Sequence, residues 1–297
     1  MKIGIVGLGK MGLNLALNIQ DNGYDVVGYD VVDVMREAAT KSGIHTVKSL
    51  ETLVEDRNVF LVMVPSGQPT NDALSRLNEL LKNKDGSIVI DGGNTNYKRS
   101  IVHFDMFKEN GIRFLDVGTS GGVSGARYGA CLMIGGDAEA YDYLKEFFEK
   151  ITVENGHLYT GKPGSGHYLK MVHNGVEYGM MQAIGEGFEL LGASEFDYDF
   201  RDVSKVWNHG SVVRSWLMEL AYDAFVEDPN LDAITGEVDA SGEGEWTVES
   251  ALEHKVPIPV ITASVFARYR SKQKDTYTGK VVSALRSGFG GHAVYKK

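Results

Sequence analysis

The sequence has one cysteine, Cys131, in 297 residues. That excludes an internal disulfide framework and fits a reducing compartment. It lacks any run of about 18 apolar residues, the minimum for a membrane-spanning helix. The opening stretch MKIGIVGLGKMG is interrupted by glycines and does not read as a signal peptide, so the expected address is cytoplasmic, with no membrane partner. Basic residues are missing over a long stretch: from Glu219 to Glu253 there are eleven acidic residues and no Lys or Arg. With a net charge of −10, the chain lacks the broad positive surface that nucleic-acid binding requires. The eight histidines do not cluster at ligand spacing, and His167 and His173 fall on different faces of a helix, so no metal is expected. A nucleophile-elbow motif for acyl transfer is also missing.

The first part of the chain alternates short apolar runs with helical patterns, which predicts βα units and a parallel sheet. The predicted strands cover 2–7, 25–30, 59–64, 87–91 and 112–117, with helices over 10–21, 33–41, 70–82 and 97–109. After GKPGSG at 161–166 the strand signals fade and helical periodicities take over. They are broken by the Gly- and Asp-rich segment 235–246 and by PIP at 257–259. The charge balance also reverses near the end, where Phe266 to Lys297 carries eight Lys and Arg against one acid, Asp275. A cationic end on an acidic chain suits one small anion.

Gly7, Leu8, Gly9, Lys10, Met11 and Gly12 form a G-x-G-x-x-G turn between a predicted strand and a predicted helix, with Asp30 closing the next strand. In such a unit the glycines allow a tight turn, a close backbone approach to a pyrophosphate and close helix packing, and the helix N-terminus faces the anion. The expected fold is an α/β Rossmann-type dinucleotide-binding domain over residues 1–163, followed by an all-α domain over 164–297. Asp30 would accept hydrogen bonds from the adenosine ribose and repel a 2′-phosphate. NAD is therefore expected as cofactor rather than NADP, although Arg36 lies close in sequence. Val64, Pro65 and Ser66 after one strand, and Asp91 to Thr95 with Asn94 after another, line the same sheet edge.

The helical segment GSGHYLKMVHNGVEYGMMQ at 164–182 crowds Lys170, His173, Asn174, Glu177 and Tyr178 together. At about 100° per residue, Lys170, Asn174 and Glu177 fall nearly in line, while Met171, Val172, Gly175, Val176 and Gly179 occupy the packing side. Hydride removal from an alcohol needs a base for the hydroxyl proton, and Lys170 and Glu177 are the candidates. If the pair shared one proton, so that neutral Lys170 accompanied protonated Glu177, a base and an acid would stand ready together.

GLGKMG at 7–12, DGGN at 91–94, TSGGVSGARYG at 119–129 and GHYLKMVHNGVEYGMMQ at 166–182 resemble the 6-phosphogluconate dehydrogenases, a branch of the β-hydroxyacid dehydrogenases. The resemblance implies that Lys170 takes the 3-hydroxyl proton while hydride leaves C3 for the nicotinamide. The 3-keto acid then loses CO2, and Glu177 protonates the enediol at C1 to give ribulose 5-phosphate. It further implies that Asn94, Ser120, Gly121, Gly122, His173 and Asn174 hold the carboxylate and hydroxyls of this phosphorylated sugar acid, and that Tyr178 and Arg268 hold its phosphate.

The C-terminal R-x-x-F-G-x-H, Arg286 to His292, resembles a signature that reaches a neighbouring subunit's active site, which implies a homodimer or homotetramer. The sequence also departs from the common form. The chain is much shorter, Asp30-Val31-Val32 stands where many members read Asn-Arg-Thr, and the 239–247 segment lacks a phosphate-binding lysine, offering Glu243 and Glu245 instead. A dehydrogenase of a small unphosphorylated acid such as 3-hydroxyisobutyrate is the alternative expectation, and it has no use for Arg268, Arg286 and His292.

Overall fold

The computed structural model describes residues 1–296 and divides into two compact units, Met1–His173 and one beginning at Asn174. In the first unit the elements run β1 (Lys2–Val6), α1 (Lys10–Asp21), β2 (Asp25–Tyr29), α2 (Asp33–Lys41), β3 (His45–Thr46), α3 (Leu50–Val54), β4 (Val59–Val62) and α4 (Gln68–Leu81). They continue as β5 (Ile88–Asp91), α5 (Tyr97–Glu109), β6 (Arg113–Ser120), α6 (Gly122–Tyr128), β7 (Ala130–Gly136), α7 (Ala138–Ile151) and β8 (Thr152–Gly161). Helix α8 (Ser165–Gly192) follows and supplies the first residues of the second unit.

The sheet has the order β3-β2-β1-β4-β5-β6-β7-β8. Successive strand residues face opposite sides, and both sides are apolar, as a sheet covered on both faces requires. Ile3, Ile5, Val59, Leu61, Ile88, Ile90, Leu115 and Val117 join Leu15 and Ile19 of α1 and Leu144, Phe147 and Phe148 of α7. On the other face Val6, Phe60, Val62, Val89 and Phe114 join Leu74, Leu77 and Leu81 of α4 and Phe107 of α5. Strand order reverses between β1 and β4, and ligands of open α/β sheets bind at such a point, beyond the carboxyl ends of the strands.

The sheet is not wholly parallel, because β6 pairs antiparallel with β7. The connection Gly121–Gly129 is shorter than the dozen or so residues a parallel crossover needs, so the chain turns straight back. β7 then pairs parallel with β8 through the longer link containing α7.

The second unit contains α9 (Phe200–Trp207), α10 (Trp216–Glu227), α11 (Gly242–His254), α12 (Pro259–Ser271) and α13 (Tyr277–Gly290). Phe188, Met218 and Phe225 are its best-buried apolar cluster, with the Phe188 ring 5.3 Å from Phe200, 5.5 Å from Trp207 and 4.9 Å from Phe225. The break expected over 235–246 ends early, since α11 begins at Gly242. Its first turn carries Glu243 and Glu245, whose charge favours a helix N-terminus. Among the described residues no helix is long and apolar enough to cross a membrane.

Candidate active site

The turn after β1 is shaped for an anion. Gly7 has φ +96°, and a Cβ there would sit 2.4 Å from the carbonyl oxygen of Met63. A Cβ on Gly12 would lie 2.0 Å from the Gly7 carbonyl oxygen, so α1 can approach β1 this closely only with glycine at that position. Gly9 faces open space and is the N-cap of α1 without a side-chain cap, which leaves backbone N–H groups for a phosphate. Glycine seats, an uncapped helix start and an acid at the β2 end together fit a dinucleotide.

Asp30 does structural work as well. Its Oδ2 accepts from the Leu8 N–H at 2.7 Å and its Oδ1 from the Val32 N–H at 2.8 Å, tying the glycine turn to the end of β2. Each carboxylate oxygen keeps a further lone pair for a ribose hydroxyl. Arg36 is engaged locally, donating to the Asp30 carbonyl oxygen and to the Asp33 carboxylate. The turn after β4 is held by Thr70, whose hydroxyl donates to the Pro65 carbonyl oxygen at 2.9 Å, with Val64 half-buried and Ser66 exposed.

Two buried carboxylates that the sequence reading left unassigned organise the neighbouring strand ends. Asp91, the last residue of β5, and Asp116, in the middle of β6, are register partners, and both have no exposed surface. Asp91 accepts from the Gly93 N–H at 3.1 Å and from the Thr95 hydroxyl at 2.7 Å, which fixes the loop carrying exposed Asn94. Asp116 accepts from the N–H groups of Gly164 at 2.8 Å and His167 at 2.9 Å, at the start of α8. Burial raises the Asp116 carboxyl above its ordinary value, opposed by His167 and those two backbone donors. The only sequence signals are an acid closing an apolar strand run at Asp91 and an acid set within one at Asp116.

Lys170 and Asn174 are buried and His173 and Glu177 are half-buried, while Val176, expected on the packing side, is 48% exposed. The i, i+4, i+8 row Lys170, Asn174 and Tyr178 is therefore inward-facing, together with Met171, Gly175 and Gly179. The Lys170 stem lies on Gly118 of β6, where a Cβ would come 2.2 Å from the Lys170 Cβ. The Ser120 hydroxyl and His173 Nε2 stand 3.5 Å apart, so one strand end and α8 meet at both residues. Gly121, with φ +105°, and Gly122 carry the backbone from Ser120 into α6.

In the second unit Tyr178 and Arg268 come together, the guanidinium carbon lying 3.4 Å from the Tyr178 ring centroid. Arg268 also donates to the Asp239 carbonyl oxygen at 2.9 Å. The Tyr178 hydroxyl is 2.6 Å from the Ser241 hydroxyl and accepts from the Ser241 N–H at 3.0 Å, so Ser241 joins the group. Lys272 pairs with Asp239 of the segment that lacks lysine. Glu245 is engaged elsewhere: it accepts the Tyr269 hydroxyl, whose pKa is pushed up to about 12 by burial and by this bond. Arg286 lies on α13 and His292 just beyond it, 6.2 Å from the Phe289 ring. Among the described residues no hydrogen bond or ion pair joins either of them to Tyr178 or Arg268, nor do three His, Cys, Asp or Glu side chains come together as a metal-binding group.

In the first unit, buried His103 of α5 places Nε2 3.0 Å from the Asn71 side-chain oxygen, and its Nδ1 has no partner. Burial lowers its pKa below the ordinary histidine value. A lowered folded-state value gives stability that is complete above the unfolded value near ~6.5 and is lost as pH falls through the folded one. The His103→Gln variant is expected to lose less stability than the parent on acidification below that point. The difference should be at most about 1.4 kcal/mol per pH unit, read from denaturant midpoints at pH 7.5 and 5.5.

Residues 2–161 match the family described as the NAD binding domain of 6-phosphogluconate dehydrogenase, and residues 166–292 match its C-terminal domain. A Bacillus subtilis protein provisionally named as a 6-phosphogluconate dehydrogenase is 52% identical over all of both chains. The NAD-dependent, decarboxylating 6-phosphogluconate dehydrogenase of Haloferax volcanii is 41% identical, covering 100% of this chain and 99% of that one. Among solved structures, Plasmodium falciparum 6-phosphogluconate dehydrogenase, described in apo form and with NADP+ and with 6-phosphogluconate, superposes with a TM-score of 0.84 at 31% identity. All of this chain is covered there, and it spans 66% of that longer one.

Proposed function

Because the chain belongs to the 6-phosphogluconate dehydrogenase family, an oxidoreductase family with a nicotinamide dinucleotide cofactor, we propose that it oxidatively decarboxylates 6-phosphogluconate to ribulose 5-phosphate and CO2, with NAD preferred and in the cytoplasm. The observation that carries this proposal is the seating of α8 on β6. Buried Lys170 rests on Gly118, and His173 stands 3.5 Å from Ser120, on the strand next to β5, whose Asp91 fixes the loop carrying Asn94.

The glycine turn from Gly7 to Gly12, with Asp30, Val64, Pro65 and Ser66, would hold the dinucleotide, whose nicotinamide accepts hydride from C3. Lys170, in its neutral form, takes the 3-hydroxyl proton as that hydride leaves. Asn94, Ser120, Gly121, Gly122, His173 and Asn174 orient the carboxylate and hydroxyls of the sugar acid. As CO2 leaves, protonated Lys170 returns its proton to the C3 oxygen, giving the enediol; Glu177, two turns along α8 from Lys170, then delivers a proton to C1 of the product while Lys170 takes the hydroxyl proton back.

The phosphate goes to Tyr178 and Arg268. Arginine clamps phosphate by bidentate hydrogen bonds and tyrosine contributes a hydroxyl donor. Ser241 and Lys272 take the place of the missing lysine, because Ser241 bonds the Tyr178 hydroxyl that Arg268 stacks on and Lys272 pairs with Asp239, whose carbonyl oxygen accepts from Arg268. Arg286 and His292 serve the neighbouring copy in a homodimer or homotetramer. The exposure of Leu285 at 62% and Phe289 at 80% on α13, which buries no residue of its own, supports a covered position there.

The NAD preference follows from the Asp30 charge beside the ribose and from the engagement of Arg36 with Asp33. Assayed side by side with 6-phosphogluconate, NAD should give kcat/KM at least about tenfold above NADP, a difference of ~1.4 kcal/mol. Equal or greater NADP efficiency contradicts the preference. Activity with 3-hydroxyisobutyrate but none with 6-phosphogluconate contradicts the substrate.

A further inference from the structure

We propose that Asp116 is the positioning residue for Lys170 and that Gly118, two residues further along β6, is the seat that receives the lysine stem. The proposal rests on the reading of Lys170 as the base.

Helix α8 begins at Ser165, so its first N–H groups have no partner within the helix, and the first backbone bond inside it is Tyr168 N–H to the Gly164 carbonyl oxygen at 2.9 Å. Asp116 supplies the missing acceptor from another element. Its Oδ1 takes the Gly164 N–H and its Oδ2 the His167 N–H, while His167 Nδ1 lies 2.7 Å from the Ser100 hydroxyl of α5. A carboxylate here also faces the positive end of the helix dipole. Lys170 stands one turn beyond His167, so whatever fixes His167 fixes the lysine backbone.

Three glycines let this turn lie directly on the strands. A Cβ on Gly166 would meet the Asp116 carbonyl oxygen at 2.3 Å and the Met133 carbonyl oxygen at 2.5 Å. A Cβ on Gly135 of β7 would meet the Gly166 nitrogen at 2.6 Å and Asp116 Oδ1 at 2.8 Å. A Cβ on Gly118 would overlap Lys170 itself, 2.2 Å from its Cβ and 2.8 Å from its Cγ. Contacts this close leave the turn no lateral freedom, since neither backbone can give way. Asp116 fixes the axial position and Gly118 the lateral one.

The test compares the parent with Asp116→Asn and Gly118→Ala in the full-length chain. An Asn side chain turns one acceptor into an NH2 group facing a backbone N–H, so the first turn of α8 loses one of its two anchors. Amide hydrogen exchange at Gly164 and His167, measured without substrate, should quicken about tenfold or more in Asp116→Asn, with the α9 and α10 amides unchanged. The same variant should lose about tenfold to a hundredfold in kcat, because a misplacement near 1 Å costs that much, while KM for 6-phosphogluconate and NAD affinity stay within about threefold. Gly118→Ala should lose kcat similarly, since a Cβ there cannot share the space of the Lys170 Cβ and displaces the lysine.

Parental exchange in Asp116→Asn, or parental kcat in either variant, overturns the proposal, as does a fall in kcat that merely follows the folded fraction. A parent chain that reduces no NAD with 6-phosphogluconate overturns the functional reading instead. The substrate-free exchange rates then still decide for or against Asp116.

Discussion

Replacing Lys170 by alanine is expected to lower kcat for NAD reduction by 6-phosphogluconate by about 10²–10⁴-fold, the range that a positioned general base contributes. NAD affinity should be unchanged, because the glycine turn, Asp30 and the Pro65 loop are held by their own contacts with Leu8, Val32 and Thr70. The truncation removes a stem that lies over Gly118, so it leaves a small gap rather than a clash. Added primary amines should restore part of the rate if the lost function is proton transfer. Stopped-flow measurement of the first NADH formed, with dinucleotide binding measured separately, tests both halves. Near-parental turnover would remove Lys170 from the role of base.

Glu177→Gln is expected to lower steady-state turnover by at least about a hundredfold, but through a different step. Glutamine keeps the shape and a hydrogen-bond donor and cannot give up a proton. Hydride transfer in a single turnover should therefore survive while protonation at C1 fails, leaving a burst of NADH followed by a slow phase. A uniform loss of the burst and the slow phase together would place Glu177 in the first step instead. Parental steady-state turnover would deny it any catalytic part.

The elements that read directly from the sequence are those with strong periodicity. α1, α2 and α5 occupy the expected ranges, and β1, β2, β4 and β5 fall within theirs, because buried strands give short apolar runs and their covering helices give a 3.6-residue pattern. α4 starts at Gln68, earlier than expected, since Pro69 is well tolerated in the first turn of a helix. β3 is two residues long, too short for any pattern, and β8 runs through Glu154, Asn155 and Gly156 at the sheet edge, where a strand need not be apolar.

At the site, the glycine turn and the polar residues of α8 were legible, because each residue type there is unusual for its surroundings. Asp91 and Asp116 were not. The groups that Asp116 holds lie 48 and 51 residues away, and an acid within a strand gives no hint of what it will hold. Ser241 was hidden in the same way, since only the fold brings its hydroxyl to Tyr178 across 63 residues.

The central claim is that one chain carries out both the oxidation and the loss of CO2. The most direct measurement is the stoichiometry of products from 6-phosphogluconate and NAD: NADH by absorbance, CO2 by trapping from substrate labelled at C1, and ribulose 5-phosphate by chromatography. The account predicts equal amounts of all three throughout the reaction. NADH formed without CO2, or with a keto acid accumulating in place of ribulose 5-phosphate, would contradict it.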